Sequence, residues 1–300
     1  MPFYLKILNK NLSILSILHF TLGILISTRR ELATFWGLSI LFYGLIHIIK
    51  YSNKNDEASI FASYMVGMEV ALRTVGASVL WEYGKYSTIL LLLTGMIVEN
   101  IKYLKLNTLS VVYFVCLLPS VAIMPDVPFG SFRMMVSGNL SGPLCLFISF
   151  IYFRQRKFKE ENLLNVFKCL SITIITLIGL IFVRAPSIEN ISFSSEANFQ
   201  LSAGFGPNQV STVLGLPLVI ISLLKIFNIK FYSKSLFDYL FVAISLGLAL
   251  LTFARGGVMA PVITFIFLCF ISGRLQRFRL NYKETFNVKF LKIFIQKLVR

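Results

Sequence analysis

The stretch from Leu250 to Phe265, LLTFARGGVMAPVITF, joins two apolar segments through an Ala-Arg-Gly-Gly sequence. The residues on both sides suit hydrocarbon, whereas Arg255, Gly256 and Gly257 interrupt the apolar pattern. Backbone N–H and C=O groups inside a bilayer need internal hydrogen-bond partners, so apolar segments there fold as helices. The stretch therefore predicts two membrane helices joined by a tight turn, in which the glycines permit a close backbone approach.

Apolar blocks of this kind recur along the whole chain of 300 residues. Hydrophobic residues make up 56% of the chain and charged residues only 14%, and the mean hydropathy is +0.78. Because a soluble domain carries about 25% charged residues, this composition indicates an all-α, polytopic integral membrane protein. We predict a single transmembrane domain over residues 1–300 with about ten transmembrane helices, near 11–28, 33–49, 58–80, 87–100, 107–124, 139–153, 167–183, 208–224, 238–253 and 257–272.

The basic residues indicate the orientation of these helices. A net charge of +16 in a soluble protein would suggest nucleic acid, but here the basic residues lie in short segments between apolar blocks, so we expect no nucleic-acid partner. With the N-terminus in the cytoplasm, 22 of the 29 Lys and Arg residues fall inside and 6 outside, and Arg73 falls within a helix. The positive-inside rule therefore favours a cytoplasmic N-terminus and a cytoplasmic basic tail over 273–300. This orientation gives an inner loop over 154–168 and outer loops over 125–138 and 184–207.

The N-terminal segment and the cysteines restrict the possibilities further. Lys6 and Lys10 precede the first apolar run, as in a signal peptide, but no small-x-small cleavage site follows Ile26, so we expect an uncleaved first helix. The four cysteines lie singly in apolar blocks without metal-ligand spacing, so we predict neither disulfides nor a metal site. Both histidines, His19 and His47, fall in the first two predicted helices.

Arg255 falls at the predicted outer boundary of the membrane. An ionisable residue so close to hydrocarbon is a candidate for function. Its guanidinium group and the free amides at the start of the following helix would together bind an anion. The simpler interpretation, in which the arginine extends to the membrane–water interface without a ligand, stays open.

Further cations fall on the same predicted outer side: Arg184, Lys85 and Arg133, with Arg73 inside its helix. Arg73 follows Glu69 by four residues, so the two can pair on one helix face, and a role in helix contacts alone is the simpler interpretation. Lys85 by itself fits an anchor at the membrane rim. Positive charge is usually sparse on the outer side, so this group of residues predicts a site for a ligand with a pyrophosphate and a lipid tail.

A second informative stretch, SAGFGPNQVSTVLGLP, runs from Ser202 to Pro217. Its glycines and first proline predict a tight turn that leads into a helix. Asn208 lies at the predicted helix start, where its side chain would cap free amides. An asparagine at this depth would also bind sugar hydroxyls or phosphate.

At these two stretches the chain resembles the O-antigen ligase and O-antigen polymerase superfamily, bacterial membrane glycosyltransferases with a GT-C fold. The resemblance rests on the helix start GFGPNQVST and on the later turn TFARGG. The segments YMVGMEVALRTVGASVLWEYGKY (64–86) and NLSGPLCLFISFIYF (139–153) also look like parts of this family. Each motif is short, but their order and predicted placement extend the resemblance over most of the chain.

The resemblance implies a function and a location. Family members take a glycan from a polyprenyl-pyrophosphate carrier at the outer face of the bacterial cytoplasmic membrane. They pass it to lipid A core, to another lipid-linked glycan or to a protein, without a metal or nucleotide cofactor. For this chain the resemblance implies a role in lipopolysaccharide or other cell-envelope polysaccharide biosynthesis, with Arg255 as a pyrophosphate ligand and Arg184 as a second. Arg73, Lys85 and Asn208 complete the predicted binding site for the lipid-linked glycan.

One feature of the family has no counterpart in this sequence. Family members carry a large outer loop whose histidine activates the acceptor hydroxyl, but no such loop follows Arg255, and neither His19 nor His47 matches that histidine. The sequence is then either a partial chain or a shortened family member with altered or no activity. We favour a partial chain that is inactive by itself, with an unidentified catalytic base. Ligase and polymerase activities are not separated by these residues.

Two functions of other classes stay open. A transporter or flippase of lipid-linked oligosaccharide would suit the Glu69–Arg73 pair, although the chain lacks the internal repeats typical of many transporters. In an inert membrane scaffold, Arg255 and Asn208 would be turn residues only.

Overall fold

The computed structural model describes residues 11–77, 82–99, 108–119, 129–154, 156–185 and 197–281. Within these ranges the chain forms ten α-helices and no β-strand, which confirms the all-α prediction. The helices are α1 (Leu12–Thr28), α2 (Arg30–Tyr51), α3 (Glu57–Thr74), α4 (Tyr83–Val98), α5 (Thr108–Leu117), α6 (Phe129–Phe153), α7 (Glu160–Arg184), α8 (Pro207–Ile226), α9 (Ser235–Leu251) and α10 (Arg255–Asn281).

The main differences from the predicted helices lie where loops were expected. The predicted outer loop over 125–138 is wrong from residue 129 onward, because 129–138 form the first turns of α6. The predicted inner loop over 154–168 ends at Glu160, where α7 begins, and α10 continues through 273–281 into the predicted tail. Once a helix is nucleated, each further residue adds a backbone hydrogen bond, so helices extend past the apolar blocks that mark them.

Five helices are long and apolar enough to cross a membrane: α2, α6, α7, α8 and α10. The helices α1, α4 and α9 are apolar but shorter. This distribution indicates a membrane protein. Of the other two, α5 has only ten residues, and α3 carries Glu57, Glu69 and Arg73 within its 18 residues. Ten membrane spans and the GT-C fold therefore stay predictions.

The helices α3 and α7 form the centre of the structure. They pack against each other, α7 also packs against α1, and α3 also packs against α2 and α4. Nearly all of α3 is buried, so its polar residues face protein rather than lipid. Glycine permits the close contacts: a Cβ added at Gly67 of α3 would lie 2.0 Å from Thr173 Oγ1, and one at Gly23 of α1 would lie 2.1 Å from the Thr176 carbonyl oxygen. The helices α8, α9 and α10 form a second group that reaches α7 and α3 through α8.

Arginine contacts between helix termini define the two ends of the bundle. At one end Arg184, the last residue of α7, donates to the carbonyl oxygens of Thr74 and Ser27, at the ends of α3 and α1 (2.9 and 3.0 Å). At the other end Arg156, between α6 and α7, donates to Glu99, which follows α4 (2.8 Å). We name these the Arg184 end and the Arg156 end. The charge pattern predicts that the Arg184 end faces outward.

Candidate functional site at the Arg184 end

The helices α8 and α10 begin side by side. They belong to the two sequence stretches, 202–217 and 250–265, that contain the predicted binding residues Asn208 and Arg255. A Cβ added at Gly257 of α10 would lie 1.9 Å from Ser211 Oγ of α8, and one at Gly215 would lie 2.4 Å from Pro261 Cγ. The contact advances by four residues along both helices, so α8 and α10 run parallel in close contact. Their N-termini therefore lie at the same end of the bundle.

That end is the Arg184 end. The ring of Phe205, just before α8, lies 5.8 Å from the guanidinium carbon of Arg73 in the last turn of α3. The Asn198 N–H donates to the Thr252 carbonyl oxygen (2.8 Å), which ties the segment before α8 to the end of α9. The segment 197–206 thus connects the second helix group to the centre of the structure.

The side chains at the two helix starts are open to a ligand. Arg255 is the first residue of α10, Asn208 and Gln209 lie in the first turn of α8, and all three are exposed. Among the residues that the structure describes, Arg255 has no side-chain hydrogen bond or ion pair. Among the described residues, a Cβ added at Gly256 would meet no atom within 4 Å, so the backbone there is accessible to a ligand.

The backbone adds positive potential at the same place. The first N–H groups of a helix have no partner within the helix, and the positive end of the helix dipole lies there. Gly206 occupies the N-cap of α8 and provides no side-chain hydrogen bond to the free amides. Two parallel helix N-termini beside an exposed guanidinium form an arrangement that attracts an anion.

Two details of the predicted site are wrong. Arg255 begins α10 rather than lying in the turn, which consists of residues 252–254. Asn208 does not cap α8, because Gly206 is the N-cap and Asn208 is the second residue of the helix. Pro207 explains the difference: its fixed φ suits the first helical position, so the helix begins before the asparagine.

Arg73 and Lys85 belong to one charge cluster centred on Glu82, which precedes α4. Arg73 pairs with Glu82 at 2.8 Å and with Glu69 at 3.4 Å, so the predicted Glu69–Arg73 pair is present. The Lys85 Nζ lies 2.5 Å from the second carboxylate oxygen of Glu82, whose side chain is only 4% exposed. Two carboxylates thus balance two cations, so the cluster as a whole has little net positive charge to attract an external anion.

Arg184 is likewise engaged inside the protein. Its two hydrogen bonds go to carbonyl oxygens in the last turns of α3 and α1. Carbonyl groups in the last turn of a helix have no partner within the helix. Arg184 therefore fastens three helix ends together. Arg133 lies in α6, and its side chain falls outside the described part of the structure.

The predicted binding residues thus fall into two groups. Arg255 and Asn208 lie exposed at the starts of two adjacent helices. Arg73, Lys85 and Arg184 bond to protein groups. The candidate site consequently contains fewer residues than the predicted group of outer cations, and it consists of the first turns of α8 and α10.

Both histidines make contacts elsewhere. His19 Nδ1 donates to the Leu15 carbonyl oxygen (2.9 Å), and His19 Nε2 accepts from the Tyr64 hydroxyl (3.1 Å), which in turn accepts from Trp36 Nε1 (2.8 Å). This series of hydrogen bonds satisfies every polar atom in it, so it serves the helix contacts. His47 lies in the later turns of α2, toward the Arg156 end. Across the described ranges, no group of three or more His, Cys, Asp and Glu side chains is placed to hold a metal ion.

Comparisons of the chain with protein-family models, with characterised proteins and with solved structures find no match. The resemblance to the O-antigen ligase and polymerase superfamily therefore stays a prediction from short motifs.

Neither Glu82 nor Phe205 was predicted from the sequence as a contact of the predicted binding residues. A local signal for Glu82 exists, since it precedes Lys85 by three residues, a spacing that allows a pair on one helix face. Phe205 had no such signal, because its contact with Arg73 joins segments far apart in the sequence.

Proposed function

We propose that this protein binds the pyrophosphate of a polyprenyl-linked glycan at the Arg184 end and serves in glycan transfer or polymerisation. The observation that carries the proposal is the parallel contact of α8 and α10, which places the exposed Arg255 beside two helix N-termini. We further propose that this end faces outward from a bacterial cytoplasmic membrane, as the distribution of Lys and Arg residues favours.

The chemistry follows from the charges. The acceptor hydroxyl attacks the anomeric carbon, and the bond from that carbon to the pyrophosphate oxygen breaks, with inversion at the carbon. The electron pair passes to the pyrophosphate, and the hydroxyl proton passes to a base that lies outside the residues assigned here. Arg255 and the amides of the two helix starts stabilise the negative charge that develops on the departing pyrophosphate.

Binding of the donor lipid tests the proposal without requiring turnover. The purified protein in lipid nanodiscs is titrated with undecaprenyl pyrophosphate, and undecaprenyl monophosphate serves as the comparison ligand. Lysine keeps the charge but lacks the planar fork that holds two phosphate oxygens at once. We therefore expect Arg255→Lys to weaken pyrophosphate binding about tenfold, the effect of losing about 1.4 kcal/mol.

Arg30→Lys is the matched control, because Arg30 begins α2 and is exposed, and its pair with Glu31 is open to water. We expect this variant to bind like the wild type. If Arg255 only extends to the interface, lysine serves equally well. Unchanged pyrophosphate binding by Arg255→Lys would therefore remove the proposed phosphate contact.

The charge cluster around Glu82 favours a second candidate function, a transporter or flippase of lipid-linked oligosaccharide. Glu69, Arg73, Glu82 and Lys85 lie together with little exposure of the carboxylates. Ionisable groups in such positions often mark substrate or ion pathways. Movement of a fluorescent polyprenyl-linked sugar across proteoliposomes would support this candidate, provided that Glu69→Gln abolishes the movement while the variant stays folded.

A further inference from the structure

A polar cavity opens at the Arg156 end, at the opposite end of the bundle from the site at the Arg184 end. It lies where α2, α4 and α6 end and where α3 and α7 begin, and its volume is about 390 Å³. A water molecule in the liquid occupies about 30 Å³, so the cavity has room for a group of roughly a dozen non-hydrogen atoms.

A partly buried ionic network forms one wall of this cavity. The Arg156 Nη1 lies 2.7 Å from Asp56 Oδ1 and 2.8 Å from Glu99 Oε1, and its Nη2 pairs with the other Glu99 oxygen. The guanidinium also stacks over the Tyr152 ring at 4.0 Å. Asn162 donates to the second oxygen of Asp56 at 2.7 Å. These contacts hold the wall in one arrangement.

Asn53 holds the neighbouring turn against the network. Its Oδ1 accepts the backbone N–H of Ala58 (2.8 Å), and its Nδ2 donates to Glu99 (2.8 Å) and Tyr152 (3.0 Å). Asn53 is only 2% exposed, although the next residue, Lys54, is exposed. The turn that carries Lys54 is therefore fixed before any ligand arrives.

Three lysines surround the opening of the cavity. Lys54, Lys157 and Lys159 all line it and are exposed, and within the described ranges none of them has an ion pair or a side-chain hydrogen bond. Four basic side chains and two carboxylates line the cavity in total, which leaves an excess of two positive charges. Since Asp56 and Glu99 are occupied by Arg156, the lysines remain available to an anion.

We propose that this cavity binds the phosphate-bearing headgroup of an anionic phospholipid. Three of the five helices that end or begin around it, α2, α6 and α7, are long and apolar enough to cross a membrane. The cavity therefore lies at the level of the lipid headgroups, where basic pockets between helices bind anionic lipids. The lysines contact the phosphate, and the Ser52 hydroxyl, which also lines the cavity, donates to it. This proposal does not depend on the one for the Arg184 end.

Lipid binding to the full chain is the direct test. Native mass spectrometry of the purified protein compares phosphatidylglycerol with phosphatidylcholine of the same acyl chains. We expect phosphatidylglycerol to bind at least about tenfold more tightly. The triple variant Lys54→Gln/Lys157→Gln/Lys159→Gln should lose most of this preference, whereas the corresponding triple substitution to arginine should retain it because the charge is kept.

A matched control removes three other lysines from the same end. Lys50, Lys230 and Lys234 do not line the cavity, so their replacement by glutamine makes the same change in net charge without altering its lining. We expect this control to keep at least half of the wild-type preference. Thermal unfolding of each variant shows that the fold is intact.

Three outcomes would overturn the proposal. Equal binding of the two lipids by the wild type would show that the cavity does not select anionic headgroups. An equal loss in both glutamine variants would show that surface charge alone attracts the lipid. Full displacement of phosphatidylglycerol by millimolar inorganic phosphate would show that the site takes free phosphate instead.

Discussion

Gly257 of α10 lies so close to Ser211 of α8 that a Cβ added at Gly257 would sit 1.9 Å from the serine Oγ. Gly257→Ala must therefore push the two helices apart. We expect this variant to lower the free energy of unfolding by about 1–3 kcal/mol, the usual cost of overpacking. Thermal unfolding of the purified protein measures the loss. Gly256→Ala is the control, because a Cβ there meets no atom of the described part of the chain within 4 Å. Equal losses in both variants would show that the contact between the two helices is not the cause.

Arg184 joins the ends of α1, α3 and α7 through its bonds to the Ser27 and Thr74 carbonyl oxygens. We expect Arg184→Met to destabilise the protein by about 1–2 kcal/mol, below the full value of a charged hydrogen bond because the side chain is exposed to water. The change should appear as a lowered Tm, and Arg30→Met should leave the Tm unchanged. If Arg184→Met instead kept normal stability but lost pyrophosphate binding, Arg184 would be a ligand-binding residue.

Glu82 pairs with both Arg73 and Lys85, whereas Glu69 pairs with Arg73 at the longer distance of 3.4 Å. Removing one partner of a buried pair costs about 3–5 kcal/mol. We expect Glu82→Gln to approach this loss and Glu69→Gln to cost about 1 kcal/mol, as measured by unfolding in denaturant. The double variant Glu82→Gln/Lys85→Gln should recover part of the loss, and strictly additive effects would show that the two residues are not coupled.

Arg156 pairs with both Asp56 and Glu99 at the Arg156 end. Burial by itself lowers the pKa of Arg156, but the hydrogen bonds with Glu99 and Asp56 and the nearby Tyr152 together raise it, so the group stays charged. We expect Arg156→Met to cost about 2–3 kcal/mol, less than for a fully buried pair because the Glu99 side chain is 22% exposed. Lys157→Met, next in the chain, should have a small effect on the unfolding midpoint. Similar midpoints for the two variants would refute a stabilising role for the network.

The orientation in the membrane is testable with single cysteines after the four native cysteines are replaced by alanine. Asn208→Cys lies at the Arg184 end and Lys157→Cys at the Arg156 end, and both positions are exposed. We expect a membrane-impermeant maleimide to label Asn208→Cys in intact cells and Lys157→Cys only after permeabilisation. The prediction for the 184–207 loop, labelling of Ser194→Cys from outside, concerns a residue outside the described ranges. Labelling of Lys157→Cys in intact cells and of Asn208→Cys only after permeabilisation would show that the orientation is the opposite one.

The class of the fold and the approximate helix positions follow from local sequence. Apolar blocks and the basic segments between them are properties of neighbouring residues, and backbone hydrogen bonding in hydrocarbon converts each block into a helix. The same local reasoning predicted the Glu69–Arg73 pair from its spacing. It failed at Asn208, where Pro207 starts the helix one residue earlier than expected.

The availability of each charge, in contrast, depended on contacts between distant segments. Arg73, Lys85 and Arg255 are equivalent as cations in the sequence, but Glu69 and Glu82 together balance the first two, while Arg255 lies exposed at a helix start. The close contact of Gly257 with Ser211 brings the two motif-bearing helices together, and no local pattern encodes it. Ion pairs and helix contacts depend on distances in space between segments far apart in the sequence. Only the tertiary structure therefore determines which charges remain available to a ligand.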